Sequence, residues 1–393
     1  MTRALIAGAG VAGLAAALAL AKAGLAPVLF ERAAELEEFG AGLQLSPNCT
    51  RVLAELGALD GVAAAATAPR AIRILRGRDD AELLALDLTD AQARWGAPYL
   101  VIHRADLQQR LLEQVQRTPG VDLRLDTELV GYGANADKVR ATIKRGLVTL
   151  SEEGELLIGA DGLRSKVREK LSLNGGDAPV FSGRVAFRAT IEAAALGAKA
   201  GDPVVTLRLG PRAHLVQYPL RGGSQINLVA VIEQRWRGRP PEHPWDGEAD
   251  RPALARAFAD WSQPARELIA APQLWRAWPL FTRAPLPAYA TGRVALAGDA
   301  AHPMVPFLAQ GAAQAIEDAG ALGSALAANS DVIAAFAAYN RARVERANRV
   351  QREALAQTRI YHMSGPLAFA RDLGMRAFGP DRLLKRYDWL YGA

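Results

Sequence analysis

Cysteine is nearly missing from the 393-residue chain: Cys49 stands alone. No disulfide can form within it, and a reducing compartment, the cytoplasm, is the expectation. Histidine is scarce too, five residues in all, and no His or Cys cluster has metal-ligand spacing, so no metal is expected. Aromatic residues make up 6% of the chain and the net charge is only +6. The arginines are scattered among acids rather than gathered in a basic block interleaved with aromatics, which removes nucleic acid from the expected partners and leaves a mild attraction for anionic small molecules. No apolar run is long enough to cross a membrane. Residues 11–30 come nearest, and Lys22, Gly24 and Pro27 interrupt them. Arg3 runs straight into a short apolar segment with no cleavage site behind it, so no leader and no membrane association are expected.

What is present is a chain that is half hydrophobic and 22% charged, long enough to bury one large core or two modest ones. Residues 3–7 read as a buried strand, 11–23 as a helix ended by Gly24, and 28–31 as a second strand, a βαβ beginning. Helices are expected over 47–56 and 104–116. Short alternating runs between 121 and 158 suggest antiparallel strands that lead into a buried strand at 156–159. Further strands are expected at 185–191, 204–209, 214–220 and 225–232, the last three joined by Gly210-Pro211-Arg212 and Arg221-Gly222-Gly223 as a meander. Residues 237–246 read as a Pro- and Gly-rich loop, 252–271 as a helix, and 331–357 as helical. No internal repeat is visible.

Three motifs carry chemistry. Gly8-Ala9-Gly10-Val11-Ala12-Gly13 lies between the first strand and the first helix. There Gly8 allows a tight turn, Gly10 lets the backbone approach a pyrophosphate, and Gly13 lets helix pack on strand, while the helix N-terminus favours the anion. Glu31 ends the second strand, placed to accept from a ribose hydroxyl. The second motif, "LLIGADGLRSKVREKL", ends a strand at Gly159, turns at Asp161-Gly162, and offers Ser165 as a helix cap; it also reads as a plain Asp-Gly turn. In the third, "RVALAGDAAHPMVPFLAQGAAQAIEDAGAL", the strand at 294–297 delivers Asp299 to the carboxyl end of the sheet, where a ligand crevice is expected, and a helix starts near Gln310. That helix start presents free N–H groups to an electron-rich ring edge, so acid and helix together cradle the far half of an extended cofactor.

The ordered trio "GAGVAGL", "GADGLRS" and "GDAAHPMVPFLAQGAAQAIEDA" resembles the FAD-dependent aromatic hydroxylases, single-component flavoprotein monooxygenases. "EEFGAGLQLSPN", "VIHRADLQQRL", "HLVQYPLRGG" and the terminal "YDWLYGA" resemble the salicylate hydroxylase and 3-hydroxybenzoate 6-hydroxylase branch. The resemblance implies an α/β fold like that of p-hydroxybenzoate hydroxylase: a Rossmann-like FAD-binding domain (1–70, 98–178, 280–330) interleaved with a β-sheet substrate domain (71–97, 179–279), then a C-terminal helical segment (331–393). It implies that Gly8, Gly10 and Gly13 hold the FAD pyrophosphate and Glu31, with Arg32 beside it, the adenosine ribose. Arg104 would reach the phosphate and ribityl region. Gly298 and Asp299 would meet the ribityl chain, Gly311 and Ala312 the flavin pyrimidine edge, and Asp161 both FAD and nicotinamide. NADH or NADPH would be a transient co-substrate, O2 the oxidant, and the protein a monomer or homodimer.

The implied reaction, by way of a flavin C4a-hydroperoxide, is hydroxylation of a small phenolic aromatic, hydroxybenzoate-like. A polycyclic or N-heteroaromatic substrate is the alternative, and a flavin-free binding protein of the same fold a more distant one. Hydroxyl transfer works best on a phenolate, so the site needs a base near the substrate hydroxyl. His214 is the leading candidate: in an extended strand His214, Val216 and Tyr218 share one face, and imidazole and phenol both point one way. A His bonded to its own hairpin edge is the structural alternative. His302, before Pro303, reads as a residue that orders its turn. Pro303, Pro306 and Phe307 form an apolar wall that keeps water out, and Gln44 and Leu45 are further pocket candidates. A substrate carboxylate would want Arg188 or Arg208, although surface exposure is the plainer reading of each. His103 and His362 read as peripheral.

Overall fold

The chain is described from a computed structural model covering residues 2–36, 41–171, 177–196, 202–236 and 249–392. The loop expected over 237–246, His243 within it, and residues 37–40, which open the EEFGAGLQLSPN stretch, lie outside the described residues.

Four of the five residues of Arg3–Ala7 are buried, and the strand pairs in parallel with Ala26–Phe30 on one side and Leu156–Gly159 on the other. Val294–Leu296 then pairs with Leu156–Gly159, and Asp122–Arg124 and Ala290–Thr291 close the edges of a six-stranded sheet. The Ala- and Leu-rich helix Val11–Lys22, which packs on this sheet, has nine buried residues. Gly24, at φ +84°, ends it. Helix Gly311–Ala328 lies directly against it: a Cβ on Gly323 would sit 2.9 Å from the Ala19 Cβ, so small residues set the closeness of the pair.

The second sheet has seven strands, in the order Arg276–Thr282, Val180–Glu192, Gln225–Glu233, Ala213–Leu220, Val204–Gly210, Ala71–Arg76, Glu82–Asp87. Residues 71–87 thus reach it from well before the main run, and Arg276–Thr282 crosses the 279/280 division expected from the sequence. Strand alternation sorts its side chains. Val185, Phe187, Leu215, Leu228 and Ala230 pack under Leu254, Phe258, Trp261 and Leu268. Residues of the opposite parity, among them Ala186 and Val231, face Val305, Phe307 and Ala354.

Two expectations need correction. The helix over 252–271 is two helices, Arg251–Ala257 and Gln263–Ala270. Phe258 and Trp261 turn into the core between them, and Ser262 caps the second, its side chain accepting from the Ala265 N–H at 3.3 Å. The antiparallel run over 121–158 is likewise divided: Asp122–Arg124 extends the parallel sheet, and only the strands from Glu128 to Gly154 form an antiparallel sheet of three. Helix Val332–Tyr361 begins in the core of the first sheet, through Ala335, Phe336 and Tyr339, and ends against the second. Among the described residues no helix is long and apolar enough to cross a membrane.

Candidate functional site

The glycine loop follows Arg3–Ala7 directly. A Cβ at Gly8 would lie 2.5 Å from the Ala160 carbonyl oxygen, and one at Gly13 only 1.9 Å from that of Gly8. Both close approaches therefore require glycine. At Gly10, the N-cap of Val11–Lys22, no side chain caps the helix and an added Cβ would meet nothing within 4 Å. First-turn N–H groups without intrahelical partners thus border open space. The Glu31 carboxylate, one residue beyond its strand, accepts from the Ala9 N–H at 2.8 Å and the Ala33 N–H at 3.0 Å. It fixes the loop, and lone pairs remain for a hydroxyl. Arg32 is exposed beside it.

In the second motif the Asp161 carboxylate accepts from the N–H groups of Lys166, at 2.8 Å, and Val167, at 3.2 Å, capping helix Lys166–Leu171; Ser165 caps it as well, accepting from Arg168 N–H at 2.9 Å. Burial raises the Asp161 pKa, and these hydrogen bonds oppose the rise.

The third motif forms the floor of the crevice. Gly298 has φ +61°, and a Cβ there would sit 2.8 Å from that of Ala12, so the end of Val294–Leu296 abuts the first helix. Asp299 is exposed at the bottom of an open cleft. Desolvation by the walls raises its pKa, and the charges of His302 and Arg104 oppose this. Arg104 opens helix Arg104–Arg117, placed there by the short antiparallel pair Gly42–Leu45 and Leu100–His103. His302 serves the turn: its Nε2 lies 2.6 Å from the Asp318 carboxylate, which also accepts from Gly298 N–H and Arg343 Nε, each at 2.8 Å. Gly311 and Ala312 begin helix Gly311–Ala328 without a side-chain cap. Ahead of them Ala309 takes a left-handed φ of +53°, and Gln310 is fastened to Ser46 and Asn48.

The seven-stranded sheet roofs this floor. Its register sets His214 opposite Val231, Val216 opposite Val229, and Tyr218 opposite Asn227; on the next strand Arg188 faces Val229 and Thr190 faces Asn227. One face thus carries an imidazole, a phenol, an amide, a hydroxyl and a guanidinium. The lobes meet here: a Cβ on Gly42 would lie 2.4 Å from the Tyr218 ring, and Gly42 N–H donates to Asn227 Oδ1 at 2.6 Å. Burial keeps the Tyr218 phenol protonated, its pKa raised against the pull of Arg188.

Arg188 Nε, Thr190 Oγ1 and Asn227 Nδ2 are buried without hydrogen-bond partners, which ordinarily costs free energy unless something supplies acceptors. Desolvation pushes the Arg188 pKa down to about 10, so it remains a cation, and its guanidinium carbon lies 5.7 Å from the Trp278 ring centroid. The surface reading of both arginines is corrected. Arg188 is partly buried with its Nε covered, and Arg208 is buried in a pair with Asp80, Nε to Oδ1 at 2.9 Å.

Among the described residues, the His214 side chain bonds to none of its own hairpin. Its Nδ1 lies 2.9 Å from Nε2 of His362, which is therefore buried and central rather than peripheral. The His214 ring is also 4.9 Å from that of Phe307 and 5.3 Å from that of Tyr361. Burial holds the His214 pKa well below its usual value, with the His362 and Arg184 charges adding to the effect. Pro303 and Val305 are buried, Pro306 is half-buried, and Val216, like Met304, Tyr361 and Tyr387, packs against the cluster that holds Leu207, Leu209 and Tyr391. Gln44 accepts from the Tyr99 hydroxyl at 2.7 Å. Leu45 is a correction: alternation turns it away from Gln44 into the core of the first lobe, where it is fully buried. Of two cavities of about 440 and 420 Å³, the first is lined in part by Tyr218 and Arg208, and neither is lined by Asp299, Arg104 or His214.

Comparison with known proteins agrees with this arrangement. The family profile described as an FAD binding domain matches residues 1–354. The chain is 38% identical over 392 residues to 3-hydroxybenzoate 6-hydroxylase 1 of Aquipseudomonas alcaligenes, covering 99% of this chain and 97% of that one. It is 38% identical over 393 residues to a 3-amino-4-hydroxybenzoate 2-monooxygenase of Streptomyces platensis, covering 98% and 94%. A Klebsiella pneumoniae HpxO variant complexed with FAD superposes with TM-score 0.87 at 26% identity, covering 100% of this chain and 98% of that one.

Proposed function

The chain belongs to the FAD-dependent aromatic hydroxylases, and from that membership we propose that it hydroxylates a small aromatic acid bearing a phenolic hydroxyl, at the expense of O2 and NADH or NADPH. The residues present fit the cofactor: Gly10 borders open space at a helix N-terminus and Gly311 begins another with nothing where a side chain would stand. FAD would lie along the lobe built from residues 1–70, 98–178 and 280–330, under the sheet from 71–97 and 179–279. Gly8, Gly10 and Gly13 shape the cradle for the pyrophosphate. Glu31, with Arg32 beside it, serves the adenosine ribose, Arg104 and Asp299 the ribityl region, and Gly311 and Ala312 the pyrimidine edge. Asp161 shapes the turn that flanks the nicotinamide approach. When bound, the flavin supplies the redox chemistry between NAD(P)H, oxygen and the ring.

The single observation that carries the substrate reading is Arg188. A desolvated guanidinium sits beside two other buried polar groups without partners, and among the described residues no acid pairs with it. A substrate carboxylate satisfies all three. His214, two cross-strand rows away, then takes the phenolic proton at Nε2, and Tyr218 donates its hydroxyl to the ligand. Pro303, Pro306, Phe307 and Val216 keep the reacting space dry, with Gln44 at its edge. Both relatives named above act, by their names, on hydroxybenzoates.

The test is oxidation of NADH and of NADPH by the FAD-loaded protein across hydroxybenzoates, plain phenols and hydroxypyridines, with peroxide and product followed together. We expect a hydroxybenzoate to accelerate oxidation with product formed and little peroxide. A preference for ligands without a carboxylate overturns this assignment.

A further inference from the structure

The partner that His214 finds lies 148 residues further along the chain, and that partner has a second one of its own. His362 Nδ1 is 3.4 Å from Glu233 Oε1. Glu233 is partly exposed and is held by Arg184 NH2, at 3.1 Å, and Arg212 Nε, at 3.2 Å. The order Glu233, His362, His214 therefore runs from solvent to the buried roof of the cleft. We propose that Glu233 and His362 are positioning residues of a proton relay that sets the tautomer of His214 and carries the substrate's phenolic proton to bulk water. This rests on the hydroxylation of a phenol argued above.

Donor and acceptor counting fixes the chain. A carboxylate only accepts, so His362 presents Nδ1–H to Glu233 and is left with a lone pair at Nε2. His214 must then donate Nδ1–H to that lone pair, and its own Nε2 is bare. His214 Nε2 has no other hydrogen-bond partner among the described residues. In the transfer, the phenolic O–H breaks and its proton binds His214 Nε2. The proton on His214 Nδ1 moves to His362 Nε2, that on His362 Nδ1 moves to Glu233, and water takes it from there. No electron changes owner. Run backwards, the chain returns one proton to the product phenolate and restores both tautomers.

The surroundings suit conduction rather than storage. Arg184 from Val180–Glu192, Arg212 from the turn before Ala213–Leu220 and Arg371 from Gly365–Phe378 surround the pair, and Tyr361 and Phe307 wall it in. Burial and the Arg184 charge bring the His362 pKa down to about 4, against the pull of Glu233. A resident imidazolium is disfavoured at neutral pH, and a proton entering the chain is passed on.

Two measurements decide the matter. Nitrogen NMR of FAD-loaded protein carrying 15N-histidine, assigned with His214→Gln, is expected to show His214 neutral, protonated at Nδ1 and bare at Nε2. The opposite tautomer overturns the relay. Second, 4-hydroxy-3-nitrobenzoate, a phenolic acid whose ionisation is visible by absorbance, is mixed with FAD-loaded wild type, Glu233→Gln and His362→Gln. Ionisation is expected to slow about 10- to 100-fold in both variants, the order of a positioned acid–base group, with the dissociation constant of the probe and the flavin content unchanged. Rates and pH profiles within twofold of wild type overturn the proposal. Should His362→Gln not fold, Glu233→Gln and the wild-type tautomer still decide. Neither readout needs turnover, so a protein that hydroxylates no phenol would sink the reaction assignment, while the tautomer and the ionisation rates would still uphold or overturn the relay.

Discussion

At the scale of single residues, the site rests on side chains held where they are costly to hold. Arg188 is a cation without an acid beside it among the described residues. Arg188→Met should raise KM for 3-hydroxybenzoate about 10- to 100-fold, the value of a charge-assisted contact of about 1.5–3 kcal/mol, and leave KM for a phenol lacking the carboxylate within about twofold. Steady-state kinetics on the pair reads the difference, and an equal loss on both would assign Arg188 to packing. Asp299 shows the same tension with the sign reversed. Its folded pKa is raised by desolvation, so above that pKa its charge opposes folding, and the penalty fades as pH falls and the carboxyl is protonated in both states. Asp299→Asn apoprotein should melt above wild-type apoprotein at neutral pH, with the gap closing in acid, and yet purify depleted of FAD. Melting curves against pH and the flavin-to-protein absorbance ratio check the two halves. Gly8, Gly13 and the His214–Tyr218 face are legible in the sequence because a short loop or a period of two places them. The partial burial of Arg188 is not, since nothing local tells a covered arginine from an exposed one, although its shared parity with Thr190 is there to see.

Elements with one strong pattern can be read nearly to the residue: Arg3–Ala7, Leu156–Gly159 and Ala213–Leu220 follow from apolar runs bounded by turns. The pair Gly42–Leu45 and Leu100–His103 cannot, because each strand is four residues long and gains its identity from a partner far away in sequence. Helix Val332–Tyr361 is legible as a helix but not as a brace. Arg343, on it, is buried between Asp318 Oδ1, at 2.8 Å, and Glu317, and donates as well to Gln314 Oε1, at 2.8 Å, and to the Gln314 carbonyl, at 3.3 Å. Removing one partner of such a network leaves buried charge uncompensated, at a cost of about 3–5 kcal/mol. Arg343→Met should therefore lose about that much stability in urea titration. It should also loosen FAD, because Asp318 is what holds Gly298 and His302. A loss below about 1 kcal/mol would mean the helix is held by its apolar face alone.

For the molecule as a whole, distant segments meet at the wall of the cleft. Tyr391 packs edge-on against Trp95 and Tyr99 with ring centroids 5.1 and 6.1 Å apart, and Tyr99 in turn holds Gln44. Arg51 and Arg346 donate to the carbonyls of Tyr391 and Leu390. Ending the chain after Tyr387 should leave FAD bound and the fold intact, but raise the share of NADH oxidation that appears as peroxide. Oxygen and peroxide electrodes run side by side test this, and unchanged coupling would confine the terminus to stability. The order of strands in the first sheet has a consequence for biosynthesis. Arg3–Ala7 needs Leu156–Gly159 beside it, and that strand needs Val294–Leu296, so about three-quarters of the protein leaves the ribosome before the nucleotide cradle can close. Parallel pairing across such separations is slow, and the opening strand, paired early only with Ala26–Phe30, must wait with its other edge open, exposed to aggregation and chaperone capture. Flavin uptake by a nascent chain would mark the moment the last of these strands arrives.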